Sequence, residues 1–276
     1  MLKLVEKSRC FDGYQEVYIH ESKSNKSDMQ FALFKPDEHE KIPVLFFLSG
    51  ITCTEQNFIQ KSGFQKFASE KKIAVIVPDT SPRGKTIKDS EVFNLGKGAG
   101  FYLNAISNSW KTNYNMYDYI SDELPNIIES NFKFDLNKLG IFGHSMGGGG
   151  AIQIALKNKK IFKSISAFSP ICSLFKSNFS SLAIKEYLNS NNEIIKKYDP
   201  ISLIKESTIR DDIIKIDVGL EDEYLNDLFI DEFEKECVKN NQKVEIKRHK
   251  GYGHNYYFLQ TFIKDHLDFH FNQYIR

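Results

Sequence analysis

The chain has 276 residues, of which 41% are hydrophobic and 13% aromatic, so it can cover a sizeable core and does not have the composition of a disordered protein. Its 37 basic and 36 acidic side chains leave a formal charge of +1, which argues against a nucleic-acid partner because no net positive field attracts a phosphate backbone. The length favours one folded domain over residues 1–276.

Two alternating stretches open the chain, at residues 15–20 and 29–34, and they flank the polar segment 22–28. This pattern predicts an N-terminal antiparallel hairpin. Continuous apolar runs follow at 44–48, 74–77, 139–142, 164–168, 213–218 and 244–246, each with the length of a strand buried on both faces. Helical patterns occur between them at 63–71, 117–131, 146–157, 229–240 and about 256–271.

Strands that alternate with helices indicate βαβ crossovers. The predicted fold class is therefore α/β, with a mostly parallel central sheet, the N-terminal antiparallel hairpin and helices on both faces. Residues 79–115 and 170–209 are long and weakly periodic. In a compact domain such segments are usually lids or substrate walls, and we expect that role here.

The N-terminus and the apolar runs indicate the cellular compartment in which the protein is expected. Charges interrupt every apolar stretch in residues 1–9, so the segment does not read as a signal peptide. The longest apolar stretch, residues 42–48, is far shorter than the roughly 18 residues of a membrane span. We therefore expect a soluble, cytoplasmic protein without a membrane partner.

Neither a metal nor a dinucleotide is expected as a cofactor. The four cysteines are widely spaced and form no C-x-x-C pair, which favours reduced thiols over a disulfide framework or a zinc site. The segment Gly96-Lys-Gly98-Ala-Gly100 lacks the G-x-G-x-x-G spacing and a clear preceding strand, so it does not predict NAD binding.

The pentapeptide Gly143-His144-Ser145-Met146-Gly147 lies between the apolar run 139–142 and the helical pattern 146–157. With glycine at about 7% of residues, a G-x-S-x-G pattern arises by chance in on the order of one such chain in ten, so its position carries the argument. A nucleophile elbow needs a strand before it, a helix after it and small neighbours, because a strained turn projects the serine hydroxyl. We predict that Ser145 is the nucleophile of a serine hydrolase with the α/β-hydrolase fold.

A serine hydroxyl needs a histidine base, and the base of this fold follows the last strand. His254, within the loop segment Lys-Gly-Tyr-Gly-His-Asn, fits best, whereas His249 lies at the strand end. His144 flanks the serine and is expected to pack. His266 and His270 are spaced i, i+4, for which we expect a solvated helix face rather than a metal site.

The remaining triad member is a carboxylate that lies between the serine and the histidine in chain order. The loop after the run 213–218 offers Glu221, Asp222 and Glu223, and Asp217 precedes it inside the run. Asp222 is preferred because the chain needs a few residues beyond the strand to come level with the serine, and Glu221 is the alternative. Glu223 and Asp227 are expected to be solvated charges at a helix start.

Acyl transfer also requires two N–H groups directed at the developing oxyanion. The first follows the nucleophile and belongs to Met146. The second is expected from residues 49–52, directly after the apolar run 44–48, where Gly50 permits the turn and Ile51 supplies the N–H group.

Four segments carry a specific resemblance to one family. They read Leu48-Ser-Gly-Ile-Thr-Cys-Thr-Glu-Gln-Asn57, Pro78-Asp-Thr-Ser-Pro-Arg-Gly84, Trp110-Lys-Thr-Asn-Tyr114 and Phe142-Gly-His-Ser-Met-Gly-Gly148. The chain thereby resembles the S-formylglutathione hydrolase, or esterase D, family from residue 10 to residue 258. The resemblance implies hydrolysis of S-formylglutathione to glutathione and formate in formaldehyde detoxification, with broader esterase activity on small acyl esters.

Position by position, the family's triad falls on Ser145, Asp222 and His254, and its oxyanion donors fall on Ile51 and Met146. The resemblance also implies a homodimer, and it places at position 53 a cysteine that can make these enzymes sensitive to thiol reagents. Departures occur at three positions. Gly149 replaces a frequent histidine, Gly253 a common aspartate, and Ser109 the usual proline.

These departures affect substrate specificity more than reaction class. A general carboxylesterase acting on small acyl esters is therefore the alternative function. An acyltransferase would need a second acceptor site, and a non-catalytic binding module would be expected to lack a triad member.

Overall fold

The computed structural model describes residues 1–38, 40–206 and 209–274. In these ranges nine strands form one sheet in the order β1-β2-β3-β5-β4-β6-β7-β8-β9. The strands are β1 (Lys3–Arg9), β2 (Gly13–Ser22), β3 (Ser27–Pro36), β4 (Val44–Leu48), β5 (Ala74–Pro78), β6 (Leu139–His144), β7 (Phe162–Phe168), β8 (Ile214–Gly219) and β9 (Val244–His249). Pairing is antiparallel from β1 through β3 and between β3 and β5, and parallel among β4 to β9.

The predicted N-terminal hairpin is confirmed as β2 and β3, which pair along their whole length. Strand β1 was not predicted. It forms the sheet edge, all seven of its residues are exposed, and its sequence therefore lacks the alternation that a buried face imposes. The six apolar runs all form parallel strands, but the expectation of burial on both faces is wrong for β9, which is the other edge and alternates between half-buried and exposed residues.

Helices cover both faces of the sheet, as expected. They are α1 (Glu55–Lys61), α2 (Phe64–Glu70), α3 (Met116–Asp118), α4 (Leu124–Asn131), α5 (Met146–Lys157), α6 (Ser181–Glu186), α7 (Asn192–Ile195), α8 (Pro200–Lys205), α9 (Leu225–Leu228), α10 (Ile230–Lys239) and α11 (Tyr256–Tyr274). A π-helical turn at Tyr119–Glu123 joins α3 to α4. Side chains of α1, α2 and α11 build one core, and those of α4, α5, α8 and α10 build the other.

The period of two along β4 shows how the sheet serves both cores. Val44, Phe46 and Leu48 enter the core of α5, whereas Leu45 and Phe47 enter the core of α11. Such a strand reads as a continuous apolar run because each face is covered. This explains why the parallel strands could be predicted from sequence.

Helix α11 overturns one expectation. His266 and His270 are fully buried rather than on a solvated helix face. They belong to the stripe of α11 that faces the sheet, together with Ile263 and Leu267. One ring nitrogen of each histidine contacts the hydroxyl of Ser166 on β7, at 2.8 Å in each case.

The two long segments start at the carboxyl ends of β5 and β7. Residues 79–115 contain no helix and only an isolated bridge between Asn104 and Asn115, and the described part of residues 170–209 contains only short helices. Tyr187 links the two segments, because its hydroxyl accepts from Gly96 N–H at 2.7 Å and donates to the Ala99 carbonyl at 3.1 Å. The two segments, here called the joined wall, therefore lie together above the end of the sheet that carries the carboxyl ends of β5 and β7.

Candidate active site

Parallel pairing brings the carboxyl ends of β4, β6, β8 and β9 to the same end of the sheet as the joined wall. Leu48 pairs with Gly143, and Gly219 pairs with His249. The loops that begin at residues 49, 145, 220 and 250 therefore leave the sheet on one side. Crevices at the carboxyl ends of parallel strands are the usual ligand sites of open α/β sheets.

Ser145 occupies the turn between β6 and α5 with φ 57° and ψ −121°. This is a strained conformation for a residue with a side chain, and it is the backbone geometry that a nucleophile elbow requires. Its neighbours must be small. A β-carbon at Gly147 would overlap the carbonyl of Leu48, and one at Gly143 would overlap the carbonyl of Gly147.

Asp222 and His254 are in direct contact, although they are 32 positions apart. His254 Nδ1 lies 2.7 Å from Asp222 Oδ2, and the other carboxylate oxygen accepts the N–H of Tyr224 at 2.9 Å. Burial alone raises the pKa of Asp222, but the hydrogen bond and charge of His254 outweigh it and lower that pKa. An ionised Asp222 fixes the Nδ1–H tautomer and leaves Nε2 available as a base.

The other acids of this loop have different partners. Glu221 accepts the N–H of Gly251 at 3.0 Å, and Glu223 accepts the N–H of His254 at 3.2 Å, so both hold the backbone of the histidine loop. Asp227 is not merely a solvated charge at a helix start. Its carboxylate accepts hydrogen bonds from Ser177 and from the backbone and side chain of Asn178, at 2.8–3.0 Å.

Two rings contact His254. The His144 ring centroid lies 4.5 Å away, and the Tyr224 ring approaches edge-on at 5.1 Å. Burial, and then the charge of His254, lowers the pKa of His144 well below its usual range, so His144 packs as a neutral ring. His144 was expected to have a packing role, and the ring that it packs against is that of His254. Among the described residues, the His254 ring is hydrogen-bonded to Asp222 and not to the Ser145 hydroxyl, which is common without substrate.

The loop at residues 49–53 places Gly50 against the elbow, where a β-carbon would lie 3.2 Å from Ser145 Cβ. Within the described residues, the N–H groups of Ile51 and Met146 donate no backbone or side-chain hydrogen bond. N–H groups that are free of protein acceptors and adjoin a nucleophile suit an oxyanion.

Sequence reasoning missed the residues that hold this loop. The Tyr102 hydroxyl donates to the carbonyl of Ser49 at 2.9 Å, and Arg83 Nη2 donates to the carbonyl of Cys53 at the same distance. Arg83 is fixed in turn by Asp79, which accepts from Nε at 2.8 Å. These contacts give the charged residues of the Pro78–Gly84 segment a structural role.

Cys53 lies beside the same loop, with Sγ 4.0 Å from the Tyr256 hydroxyl. Burial raises the pKa of this thiol. Because the thiolate is the reactive form, a raised pKa lowers the fraction of Cys53 that is in this form.

Two other kinds of site are absent from the described residues. No group of three or more His, Cys, Asp or Glu side chains is placed to hold a metal ion. None of the described helices has the length and apolar character needed to cross a membrane.

The sheet order, the positive-φ serine and the Asp222–His254 contact define an α/β-hydrolase, and the comparisons with known proteins agree. The model of an esterase family, described as "Putative esterase", matches residues 22–269. S-formylglutathione hydrolases of Mus musculus and Bos taurus are each 45% identical over 274 residues, covering 98% of this chain and 97% of the relative.

Solved structures agree with these relatives. An S-formylglutathione hydrolase from Agrobacterium tumefaciens superposes with a TM-score of 0.95 at 39% identity, covering 98% of this chain and 99% of the other. A serine hydrolase of Staphylococcus aureus, 21% identical with a TM-score of 0.75, shares the fold over 94% of this chain and 99% of its own. The chain belongs to the S-formylglutathione hydrolase family and is a hydrolase enzyme.

Proposed function

We propose that the protein hydrolyses S-formylglutathione to glutathione and formate, with Ser145, Asp222 and His254 as its catalytic triad. The observation that carries this proposal is the strained Ser145 turn at the sheet edge where Asp222 and His254 meet at 2.7 Å. The relatives' names supply the substrate, and the geometry supports the reaction class.

In acylation, His254 Nε2 takes the Ser145 proton while the hydroxyl oxygen attacks the formyl carbonyl. The N–H groups of Ile51 and Met146 stabilise the oxyanion, and ionised Asp222 stabilises the imidazolium. Collapse of the intermediate breaks the carbon–sulfur bond. Glutathione leaves as a thiol with the proton that His254 returns, or as a thiolate, in which case His254 gives its proton to solvent before deacylation. A thiolate whose thiol has a pKa near 8.5 needs less protonation to leave than an alkoxide does.

Deacylation repeats the sequence with water as the nucleophile. His254 takes a proton from water, the resulting hydroxide attacks the formyl ester of Ser145, and the same two N–H groups stabilise the second oxyanion. The proton then passes to Ser145 as formate leaves. Because no metal or organic cofactor is required by either half-reaction, the proposal needs only the chain and water.

The wider setting is also proposed. We infer a cytoplasmic enzyme of glutathione-dependent formaldehyde detoxification, because its substrate is a glutathione thioester and its four cysteines are free thiols. We also propose a homodimer, on the basis of the family. Light scattering on the purified protein tests the dimer, and a monomer mass at all concentrations contradicts it.

The main experiment compares kcat/KM for S-formylglutathione with kcat/KM for a simple aryl acetate, in the native enzyme and in Ser145→Ala. We expect a strong preference for the thioester and no turnover of either substrate by the variant. Equal or better turnover of the aryl ester would favour the general carboxylesterase instead. Retained activity of Ser145→Ala would refute the nucleophile assignment.

A further inference from the structure

The backbone directly after β7 has a strained conformation. Ser169, the first residue beyond the strand, has φ 41°, in the left-handed region that costs free energy for a residue with a side chain. Glycine adopts this conformation without that cost, yet the position holds serine, and its side chain is fully buried. Strain of this kind persists where the surrounding structure enforces it, and in enzymes it clusters at active sites.

Hydrogen bonds on both sides of Ser169 enforce its position. The N–H of Ser145 donates to the carbonyl of Phe168 at 3.0 Å, and the N–H of Ile171 donates to the carbonyl of Ser145 at 3.1 Å. The N–H of Ser169 itself donates to the carbonyl of Asp217 on β8 at 2.9 Å. Ser169 is therefore fixed between the turn that carries the proposed nucleophile and the strand that leads to the proposed acid.

The hydroxyl of Ser169 lies beside the carboxylate of Asp222. Burial raises the pKa of Asp222, and His254 is the main group that lowers it. The N–H of Tyr224 and the Ser169 hydroxyl add smaller effects in the same direction. Among the described residues, however, the Ser169 hydroxyl has no partner in full hydrogen-bond geometry, and a buried hydroxyl in that state destabilises the fold. Packing alone does not explain the serine, because alanine would avoid that cost.

We propose that Ser169 is a positioning residue that donates a third hydrogen bond to Asp222 during turnover and keeps the carboxylate directed at His254. The proposal rests on the proposed function, because it takes Asp222 and His254 as triad members. One carboxylate oxygen already accepts from Tyr224 and the other contacts His254, and each oxygen can accept a further hydrogen bond. Hydrogen bonds of an active site that are incomplete without substrate often close in the working complex. A third donor opposes rotation of the carboxylate while the imidazolium of His254 forms and decays.

The test measures kcat, KM and the free energy of unfolding for Ser169→Ala. We expect kcat to fall roughly ten- to hundredfold, the worth of one hydrogen bond to a charged group. KM should stay near the native value, because Ser169 is buried and acts through Asp222 rather than on the substrate. Stability should be unchanged or higher, because alanine keeps the same backbone strain and removes an unpaired polar group. A purely structural hydroxyl would give the opposite result, with lower stability and native kcat.

Ser166→Ala, on β7 itself, is the matched control. The Ser166 hydroxyl is also buried but contacts His266 and His270 at 2.8 Å, so its loss should lower stability and leave kcat at the native value. Ser169→Gly removes the hydroxyl and also suits the positive φ, and we expect it to lose as much kcat as Ser169→Ala. Recovery of native kcat in Ser169→Gly would assign the effect to backbone strain and overturn the proposal.

A double-mutant cycle tests whether Ser169 acts through Asp222. In Asp222→Ala, the addition of Ser169→Ala should not lower kcat further, whereas an equal loss in both backgrounds would overturn the proposal. Native kcat in Ser169→Ala alone would overturn it as well. Native kcat in Asp222→Ala would instead refute the proposed triad. Each variant is measured with S-formylglutathione and with an aryl acetate, so failure with the thioester alone overturns the proposed substrate and leaves the cycle readable with the ester.

Discussion

The part of the chain that the structure describes contains two arrangements of serine, histidine and aspartate, and they differ in backbone conformation and solvent access rather than in residue type. One consists of Ser145, His254 and Asp222 in loops at the carboxyl edge of the sheet. The other lies between β7, β8 and α11, where His266 Nδ1 is 2.8 Å from the Ser166 hydroxyl and Nε2 is 3.7 Å from Asp217 Oδ2. Only the first has its serine in a strained turn, and all three residues of the second are fully buried.

The partners of the second arrangement explain why it is structural. Lys215 Nζ lies 3.0 Å from Asp217, and His249 Nε2 lies 3.2 Å from it. Burial raises the pKa of Asp217, but its interactions with His266 and Lys215 outweigh this and hold the pKa well below its usual range. The carboxylate therefore serves as the counter-charge of a buried ammonium. A Ser-His-Asp set becomes a catalytic candidate only with an exposed elbow and free oxyanion donors.

The largest expected effect is on kcat, and it distinguishes Ser145 from Ser166. Ser145→Ala is expected to lower kcat by about 10⁶ without loss of fold, because no second nucleophile is available. Ser166→Ala should keep turnover but lower the free energy of unfolding by about 1–3 kcal/mol, since two buried histidine nitrogens lose their partner. Steady-state kinetics and urea denaturation of both variants measure this contrast. Loss of turnover in folded Ser166→Ala would show that the buried set contributes to catalysis.

The next largest expected effect is on kcat, and it distinguishes Asp222 from Glu221 in the loop after β8. Asp222→Asn should lower kcat by about 10⁴, because an amide no longer holds His254 in the required tautomer or stabilises the imidazolium. Glu221→Gln is the control and should stay within about twofold of the native enzyme, as Glu221 contacts only the backbone of the histidine loop. If Glu221→Gln had the larger effect on kcat, the carboxylate assignment would have to move to Glu221.

A third prediction concerns Asp217, which should matter for stability. Asp217→Asn should lower the free energy of unfolding by about 3–5 kcal/mol, because it removes the nearer counter-charge of the buried Lys215 ammonium and leaves Glu245, 3.9 Å away. The double variant Lys215→Met with Asp217→Leu removes both charges and should recover most of that loss. Urea denaturation measures both. A double variant as unstable as the single one would mean that apolar side chains cannot fill the space left by the pair.

The arrangement that we propose as catalytic could be predicted from sequence because its rules are local. The elbow needs only a strand, a G-x-S-x-G turn and a helix, and the acid and base then follow in fixed chain order. Asp222 and His254 were placed by that order, and the structure brings them into contact. The preference for Asp222 over Glu221 rested on loop length alone. A few residues are needed after the strand before a side chain comes level with the neighbouring loop.

The structural half could not be predicted because it depends on non-local packing. Polar residues on a helix are expected to face water, and nothing near His266 or His270 in sequence shows that hydroxyls of β7 will satisfy them. The rings around His254 were missed for the same reason. Helix α1 was a different omission, since its capping box at Thr54 and Asn57 is a recognisable start signal just after residues 49–52, the predicted oxyanion loop.

The smallest expected effect is the pH dependence of stability, and it comes from the buried set. Burial, the largest cause, lowers the pKa of His266 and that of His270, while histidines of the unfolded chain titrate near 6.5. Below about pH 6.5 the unfolded state thus binds more protons, so this contribution to stability is present above that pH and is lost as the pH falls. The depressed pKa of Asp217 adds a loss only below about pH 3.9.

We therefore expect the free energy of unfolding, measured by urea denaturation, to fall from pH 7.5 to pH 5, by at most about 1.4 kcal/mol per pH unit for each histidine. His270→Gln removes one titrating group and should flatten this slope, whereas the exposed-strand control Lys3→Gln should leave it unchanged. The slope should remain above zero in His270→Gln, because burial also lowers the pKa of His144. An unaltered slope in His270→Gln would mean that His270 binds protons equally in the folded and unfolded states, contrary to its burial between α11 and β7.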